Sequence, residues 1–220
     1  TPIQQWYFNL GFSDPSYFLQ SQTITIKSVD IAKLKNAFLR LVNHHPAFKV
    51  RFYKKNNRYV QSYNNVVDHS FFSIHNIKNE KNEQNAIHKI EIDLEKQISL
   101  TDNEFYKVAI IEGKTNSHVL IIIHHLIVDG VSWRILFEDL VQLYQEKTVL
   151  KTDTKSQWYQ QLIDYSQNKK TLEALPFWKS TTEEIQEFNL IKDQFILYPN
   201  NTYGAVTDNL SLERTNLLSE

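Results

Sequence analysis

The 220-residue chain contains no cysteine and no methionine, and glycine is scarce, with only four residues. The absence of cysteine excludes disulfide bonds, a thiolate nucleophile and a cysteine-based zinc site. The four glycines are isolated, so the chain has no glycine-rich loop of the kind that cradles phosphate groups. Because even an initiator methionine is missing, we expect a segment of a longer polypeptide or a processed terminus.

A strong charge of one sign and long apolar runs are absent as well. Lysine and arginine total 24 against 25 aspartates and glutamates, which leaves a net charge of -1. Because the charges balance, the chain has no long-range electrostatic field of one sign, so we expect no nucleic acid partner and no membrane partner. No apolar run approaches the roughly 20 residues that span a bilayer. With 41% hydrophobic residues and no signal pattern at the N-terminus, the chain is expected to be globular and cytoplasmic.

The spacing of apolar residues predicts a chain of mixed strands and helices. Thr1 and Pro2 start a short helix, residues 21–27 alternate as a strand, and Asp30 caps a helix that ends before Pro46. The other predicted elements are a hairpin over 48–59, a helix within 79–97, a hairpin of strands 105–111 and 119–123, helices over 132–144, 156–165 and 182–188, an aromatic packing site in the core at 176–178, and a strand over 203–212 before a short terminal helix.

The most informative stretch runs from His124 to Trp133 and joins a strand to a helix. The apolar run at 119–123 is typical of a buried strand, which places His124 and His125 at its C-terminal end. Side chains alternate across a strand, so these two histidines point to opposite faces. We therefore predict that one histidine reacts while the other packs.

The residues around this pair suit acid–base chemistry at a strand-to-helix turn. Histidine changes charge near neutral pH and needs a neighbour that sets its tautomer. Asp129 either supplies that orientation or holds the loop by pairing with an arginine. Gly130 permits a backbone conformation closed to other residues, and Ser132 is the predicted N-cap of the helix. The alternative without chemistry is a strand, turn and helix that carry two core histidines.

Residues 124–130, His-His-x-x-x-Asp-Gly, resemble the HHxxxDG motif of the condensation-domain superfamily of nonribosomal peptide synthetases, relatives of chloramphenicol acetyltransferase. The continuation over 131–140 and the opening octet 1–8 are similar to the epimerization branch of that family. Two separate matches that favour the same branch make the resemblance specific. We therefore expect the N-terminal half of an epimerization domain.

This resemblance implies the fold and its division into subdomains. The expected class is α/β, an α+β two-layer sandwich of the chloramphenicol acetyltransferase-like type. Residues 1–200 are expected to form the N-terminal subdomain, and residues 201–220 to begin the C-terminal subdomain. The active site then lies in a tunnel between the two subdomains, so this chain presents one wall.

The resemblance also implies an activity, the conversion of L to D configuration at the α-carbon of an aminoacyl or peptidyl thioester. The substrate arrives on the phosphopantetheine arm of a peptidyl carrier protein domain, adjacent synthetase domains are further partners, and no cofactor is bound directly. His125 matches the catalytic position, His124 a structural one and Asp129 a structural ion pair, with Gly130 and Ser132 supporting the turn. A complementary glutamate belongs to the missing C-terminal subdomain, so we expect the chain alone to be inactive.

Residues 44–52 resemble the second motif of the family, where a basic residue holds the later aspartate. An arginine usually stands where Lys49 lies here. Because lysine lacks the two-pronged carboxylate contact of a guanidinium, Arg51 is favoured for this role over Lys49. The pair His44 and His45 ends a helix just before Pro46 and is interpreted as structural.

Two other functions remain open. The first is condensation, in which an acyltransferase forms an amide between two carrier-bound groups and His125 positions or deprotonates the amine. The second is a non-catalytic docking module that retains the fold. A product of inverted configuration, a new peptide bond, or binding that is indifferent to substitution of His125 would distinguish the three.

Overall fold

The computed structural model describes residues 1–12, 14–56, 58–64, 69–150 and 155–187. The helices in these ranges are α1 (Pro2–Asn9), α2 (Ile31–His44), α3 (Glu83–Glu95), α4 (Gly130–Tyr144), α5 (Lys155–Ser166), α6 (Lys169–Glu173) and α7 (Leu175–Glu187). The strands are β1 (Leu19–Ile26), β2 (Val50–Lys55), β3 (Arg58–Tyr63), β4 (Phe72–Asn76), β5 (Tyr106–Glu112) and β6 (Ser117–His124). No helix in the described ranges has both the length and the apolar character needed to cross a bilayer.

A four-stranded sheet with the order β1-β6-β5-β4 forms the centre of the fold. Strand β6 pairs antiparallel with both β1 and β5, whereas β4 and β5 are parallel. The predicted hairpin of β5 and β6 is confirmed, with Tyr106 opposite Ile123. Leu19 lies opposite His124, so β1 reaches the end of β6 at which the motif begins.

Helices cover both faces of this sheet. On one face Val119, Ile121 and Ile123 of β6 pack with α2 and α4. On the other face Leu120 and Ile122 pack against α3. The predicted α/β class is therefore confirmed, and the sandwich has helices on two sides instead of one, because the central strands are apolar on both faces.

Helix α2 forms as its apolar stripe and its cap predict. The Asp30 carboxylate accepts a hydrogen bond from the Lys33 backbone N–H at 3.0 Å, which satisfies one of the free donors of the first turn. Five residues at helical spacing are buried on one face: Leu34, Ala37, Phe38, Leu41 and Val42. They pack against the buried face of α4, and the buried residues of both helices form one core with the sheet.

Strands β2 and β3 form a separate two-stranded hairpin, as predicted. Asn56 in its turn has a φ of 50°, a left-handed conformation that asparagine tolerates. The Phe52 backbone N–H donates to the Asn103 side-chain oxygen at 2.7 Å, which ties the hairpin to the loop before β5. Strand β2 carries Arg51 of the second motif, whereas Lys49 lies in the turn before it.

Predictions for the C-terminal part have mixed outcomes. The predicted core position of Phe177 and Trp178 is wrong, because their exposed fractions are 62% and 60%. Both side chains lie on α7, which begins at Leu175, earlier than residue 182. The predicted strand over 203–212 and the boundary at residue 200 lie outside the described residues.

Candidate active site

His124 is the histidine that packs. It is fully buried, and both ring nitrogens have partners. Its Nε2 lies 2.8 Å from the Pro15 carbonyl oxygen and therefore donates, whereas its Nδ1 accepts from the Leu126 backbone N–H at 3.1 Å. Burial, the largest cause, lowers the pKa of His124 to about 4. A neutral imidazole with both nitrogens occupied holds the backbone and is not available as a base.

His125 takes the opposite position, as the alternation of side chains predicts. Its ring stacks on Phe18 with a centroid distance of 4.7 Å and an interplanar angle of 17°. Its Nδ1 lies 2.7 Å from the Val128 carbonyl oxygen. Because a carbonyl only accepts, Nδ1 carries the proton, and the neutral ring has its lone pair on Nε2. The geometry therefore gives His125 a defined tautomer and a defined plane.

Asp129 begins α4, and this position corrects the prediction for Ser132. The N-cap is Asp129, whose carboxylate accepts from the Ser132 backbone N–H at 2.8 Å and from the Ser132 hydroxyl at 2.6 Å. These hydrogen bonds, the largest cause, lower the pKa of Asp129, and the nearby His125 adds to the shift. Ser132 is thus the third residue of the helix and the partner of the cap.

Gly130 is the first residue of α4, and the turn before it does not depend on glycine. Among the described residues Gly11 is the glycine with a positive φ, and Gly130 is not. A Cβ built on Gly130 would meet no atom within 4 Å. The prediction of a special backbone conformation at Gly130 is therefore wrong, because the extended backbone of Asp129, with φ of -140° and ψ of -179°, makes the turn.

The expected ion pair between Asp129 and a basic residue of the second motif does not form. Arg51 donates to the Val50 carbonyl at 2.8 Å, and Lys49 donates to the Asn43 carbonyl at 2.7 Å. Within the described ranges no ion pair joins Asp129 to an arginine or a lysine. Arg51 therefore hydrogen-bonds within its own hairpin, and the carboxylate of Asp129 accepts hydrogen bonds from Ser132 in the first turn of α4.

Helix α1 lies beside the motif loop and closes one side of the site. The side chain of Gln4 is buried and donates to the Leu126 carbonyl at 3.1 Å. The hydroxyl of Tyr7 donates to the Pro15 carbonyl, which also accepts from His124. The opening octet and the HHxxxDG motif are thus joined by one direct hydrogen bond and by the Pro15 carbonyl, which Tyr7 and His124 share.

A cleft of about 510 Å³ opens between α1, the motif loop and the exposed Trp158 of α5. His125, Asp129 and Ser132 line it, together with Gln4 and Phe18, whereas His124 and Arg51 do not. Its volume lies within the range of small-molecule sites. Of the predicted site residues, the structure therefore brings three to one cleft.

Sequence reasoning missed three residues of this site. Phe18 supplies the stacking partner of His125, Gln4 ties α1 to the loop, and Trp158 stands at the cleft. Gln4 belongs to the opening octet that resembles a known motif, which is the signal that points to it. No periodic pattern marks Phe18, since it lies in the irregular segment just before β1.

Comparison with known proteins decides the family. A model of the condensation domain matches residues 1–218. The chain belongs to the condensation-domain family. Tyrocidine synthase 2 of Brevibacillus parabrevis is 32% identical to this condensation-domain chain over 187 residues, which are 81% of the chain and 5% of the synthase.

Solved structures give this condensation-domain chain the chloramphenicol acetyltransferase-like fold. The epimerization domain from the third module of tyrocidine synthetase B is 30% identical, with a TM-score of 0.75 over 81% of this chain and 42% of that chain. The first condensation domain of the calcium-dependent antibiotic synthetase matches at 15% identity with a TM-score of 0.68, over 82% of this chain and 48% of the other. The expected recognition, an N-terminal part of a condensation-superfamily domain, is confirmed.

Proposed function

We propose that this chain carries the histidine wall of an epimerization site, where the α-carbon of a carrier-bound aminoacyl or peptidyl thioester changes configuration. The single observation that supports this function best is the state of His125. Its Nδ1 is bound to the Val128 carbonyl, its ring plane is set by Phe18, and it lines an open cleft. The 30% identity to an epimerization domain supports this branch of the family.

The reaction needs a base whose pKa lies near the working pH and a substrate whose α-proton is acidic enough to be removed. A thioester carbonyl delocalises the charge of an α-carbanion, so proton removal requires neither a metal nor pyridoxal. The Nε2 lone pair of His125 accepts the α-proton, the Cα–H electron pair moves into the thioester, and a proton returns to the opposite face. General acid–base groups of this kind contribute roughly 10²–10⁴-fold in rate.

The proton donor for the opposite face is not assigned to a residue of this chain. A carboxylate of the complementary subdomain fills that role in epimerization domains according to the resemblance, and no glutamate of this chain is assigned to it. The chain spans 42% of the epimerization-domain chain that it matches. We therefore propose that activity requires a second half, with a peptidyl carrier protein and adjacent synthetase domains as partners.

The test is exchange of the α-proton in deuterated water, measured by mass spectrometry of the aminoacyl group released from a phosphopantetheinylated carrier protein. The chain is assayed alone and with the complementary half of an epimerization domain supplied in trans. Exchange is expected with the second half, and His125→Ala is expected to lower its rate by roughly 10²-fold or more. His88→Ala, on the outer surface of α3, is the matched control and retains the rate. Equal exchange by the His125→Ala variant would contradict the assigned role.

The condensation-domain match of residues 1–218 keeps amide formation as the second candidate. In that reaction the same imidazole receives a proton from the attacking amine, and one amide bond replaces one thioester bond. Chiral chromatography of the released product distinguishes the two candidates, because epimerization returns the D isomer of the same acyl group. A new peptide bond without inversion would support condensation, and carrier binding with neither product would support a docking module.

A further inference from the structure

The second histidine pair lies far from the cleft, at the end of α2. His44 is the last residue of this helix, and His45 follows it with an extended backbone. The two rings are perpendicular, with centroids 4.9 Å apart. Both side chains are partly buried against the middle of α4, where Asp139 meets them.

One ring nitrogen at this contact has no partner. The Nε2 atom of His44 is buried and has no hydrogen-bond partner among the described residues. Asp139 Oδ2 lies 2.8 Å from His45 Nε2, so this carboxylate is the partner of the second ring. The side chains of His45 and Asp139 are only 12% and 13% exposed, so water reaches them poorly. A buried polar atom without a partner calls for an explanation, and coordination of a metal ion is one.

One ligand atom from each of His44, His45 and Asp139 lies within 4.8 Å of the other two. Two imidazoles and one carboxylate form a ligand set that binds Zn²⁺, whereas Mg²⁺ and Ca²⁺ prefer oxygen ligands alone. We propose that these three residues form a zinc site that joins α2 to α4. The proposal is independent of the epimerization function.

The geometry requires only small side-chain movements. Tetrahedral zinc holds its ligands at about 2.0–2.2 Å, so its ligand atoms are about 3.3 Å apart. The three ligand atoms lie within 4.8 Å of one another. Their spacing therefore exceeds the tetrahedral value by at most about 1.5 Å, which small rotations of the three partly buried side chains can remove.

The site acts on structure and not on the acid–base chemistry. Asp139 lies ten residues after Asp129 on α4, about 15 Å along the helix axis from the motif loop. His45 directly precedes the turn that leads into β2. Zinc would therefore fix the end of α2, the middle of α4 and the start of the hairpin relative to one another.

The experiment is a titration of Zn²⁺ into the metal-stripped 220-residue chain, followed by calorimetry and thermal melting. One equivalent is expected to bind with micromolar or tighter affinity and to raise the melting temperature, because zinc binds the folded form preferentially. Mg²⁺ at the same concentration is expected to leave the melting temperature unchanged.

His44→Gln is the decisive variant, because the buried Nε2 of His44 has no hydrogen bond to any described residue that the substitution would break. We expect its melting temperature without metal to match the parent, and its zinc affinity to fall by at least roughly tenfold. His88→Gln, with a side chain that is 70% exposed, is the control and should bind as the parent does. Zinc binding of equal strength in His44→Gln would overturn the proposal.

A second measurement covers the case in which His44→Gln does not fold. X-ray absorption of the zinc-loaded parent chain is expected to show two imidazole ligands and otherwise oxygen donors at the distances given above. A spectrum with fewer than two imidazoles, or a stoichiometry other than one zinc per chain, would also overturn the proposal.

Discussion

The stability of this protein should depend on pH through His124, because the fold keeps this imidazole neutral. Its pKa is about 4 in the folded chain, against 6.5 for an unperturbed histidine, and burial is the main cause. Between these two values the unfolded chain binds more protons than the folded chain. The free energy of unfolding therefore is greatest above pH 6.5 and falls as the pH is lowered toward 4.

The size of the effect follows from the two pKa values of His124. Each pH unit below 6.5 costs about 1.4 kcal/mol until the folded pKa is reached. From pH 7.5 to pH 5.0 the loss from this single group is therefore about 2 kcal/mol. That is a large share of the 5–15 kcal/mol that typically separates folded and unfolded domains.

The assay is urea denaturation followed by the fluorescence of the four tryptophans, at pH 7.5 and pH 5.0. The parent chain is compared with His124→Gln, whose side chain keeps a donor and does not titrate. Burial also lowers the pKa of His45, but that residue titrates in both chains and cancels in the difference. We expect the parent to lose about 2 kcal/mol more than the variant between the two pH values.

An equal loss in the parent and in His124→Gln would refute this reasoning. If the variant does not fold, the ring proton signals of His124 in the intact chain give the same answer by NMR. A midpoint near 6.5 would show that burial does not depress the pKa of this imidazole.

Two substitutions test the contacts that hold the site. Asp129→Ala removes the N-cap of α4 and is expected to reduce the free energy of unfolding by about 1 kcal/mol. Asp129→Asn retains an accepting oxygen, so its free energy of unfolding should fall by less. Equal losses of the two variants in urea titrations would argue against the cap. Gln4→Ala leaves the Leu126 carbonyl buried without its donor and is expected to cost about 1–3 kcal/mol. In the same titrations Gln5→Ala, an exposed neighbour on α1, serves as the control, and an equal effect of both would contradict the role of Gln4.

Much of the fold follows from local patterns. The buried run of β6 and the apolar stripe of α2 were predictable because each element repeats its own period over many residues. The cap at Asp30 was predictable because its side chain acts within three residues along the chain. Such interactions depend little on what the rest of the molecule does.

The details of the motif turn were harder to predict. Both Asp129 and Ser132 are good N-cap residues, and the choice between them depends on the backbone angles at which the strand ends. Phe177 and Trp178 carry apolar side chains that the sequence pattern assigns to a core, yet they are exposed in this chain. Whether an aromatic side chain is buried depends on which other part of the fold packs against it.

The sequence alone determined the position of the histidine pair at a strand end and the assignment of its two members to opposite faces, because alternation along a strand is a local property, and the resemblance of its motifs implied the class of the fold. Only the tertiary structure decided which partners each histidine has. The Pro15 carbonyl accepts a hydrogen bond from His124, and the Phe18 ring stacks on His125. Each contact joins residues more than 100 positions apart in the chain. Contacts over such separations depend on how β1 pairs with β6 and on where α1 packs, and no local pattern encodes that arrangement.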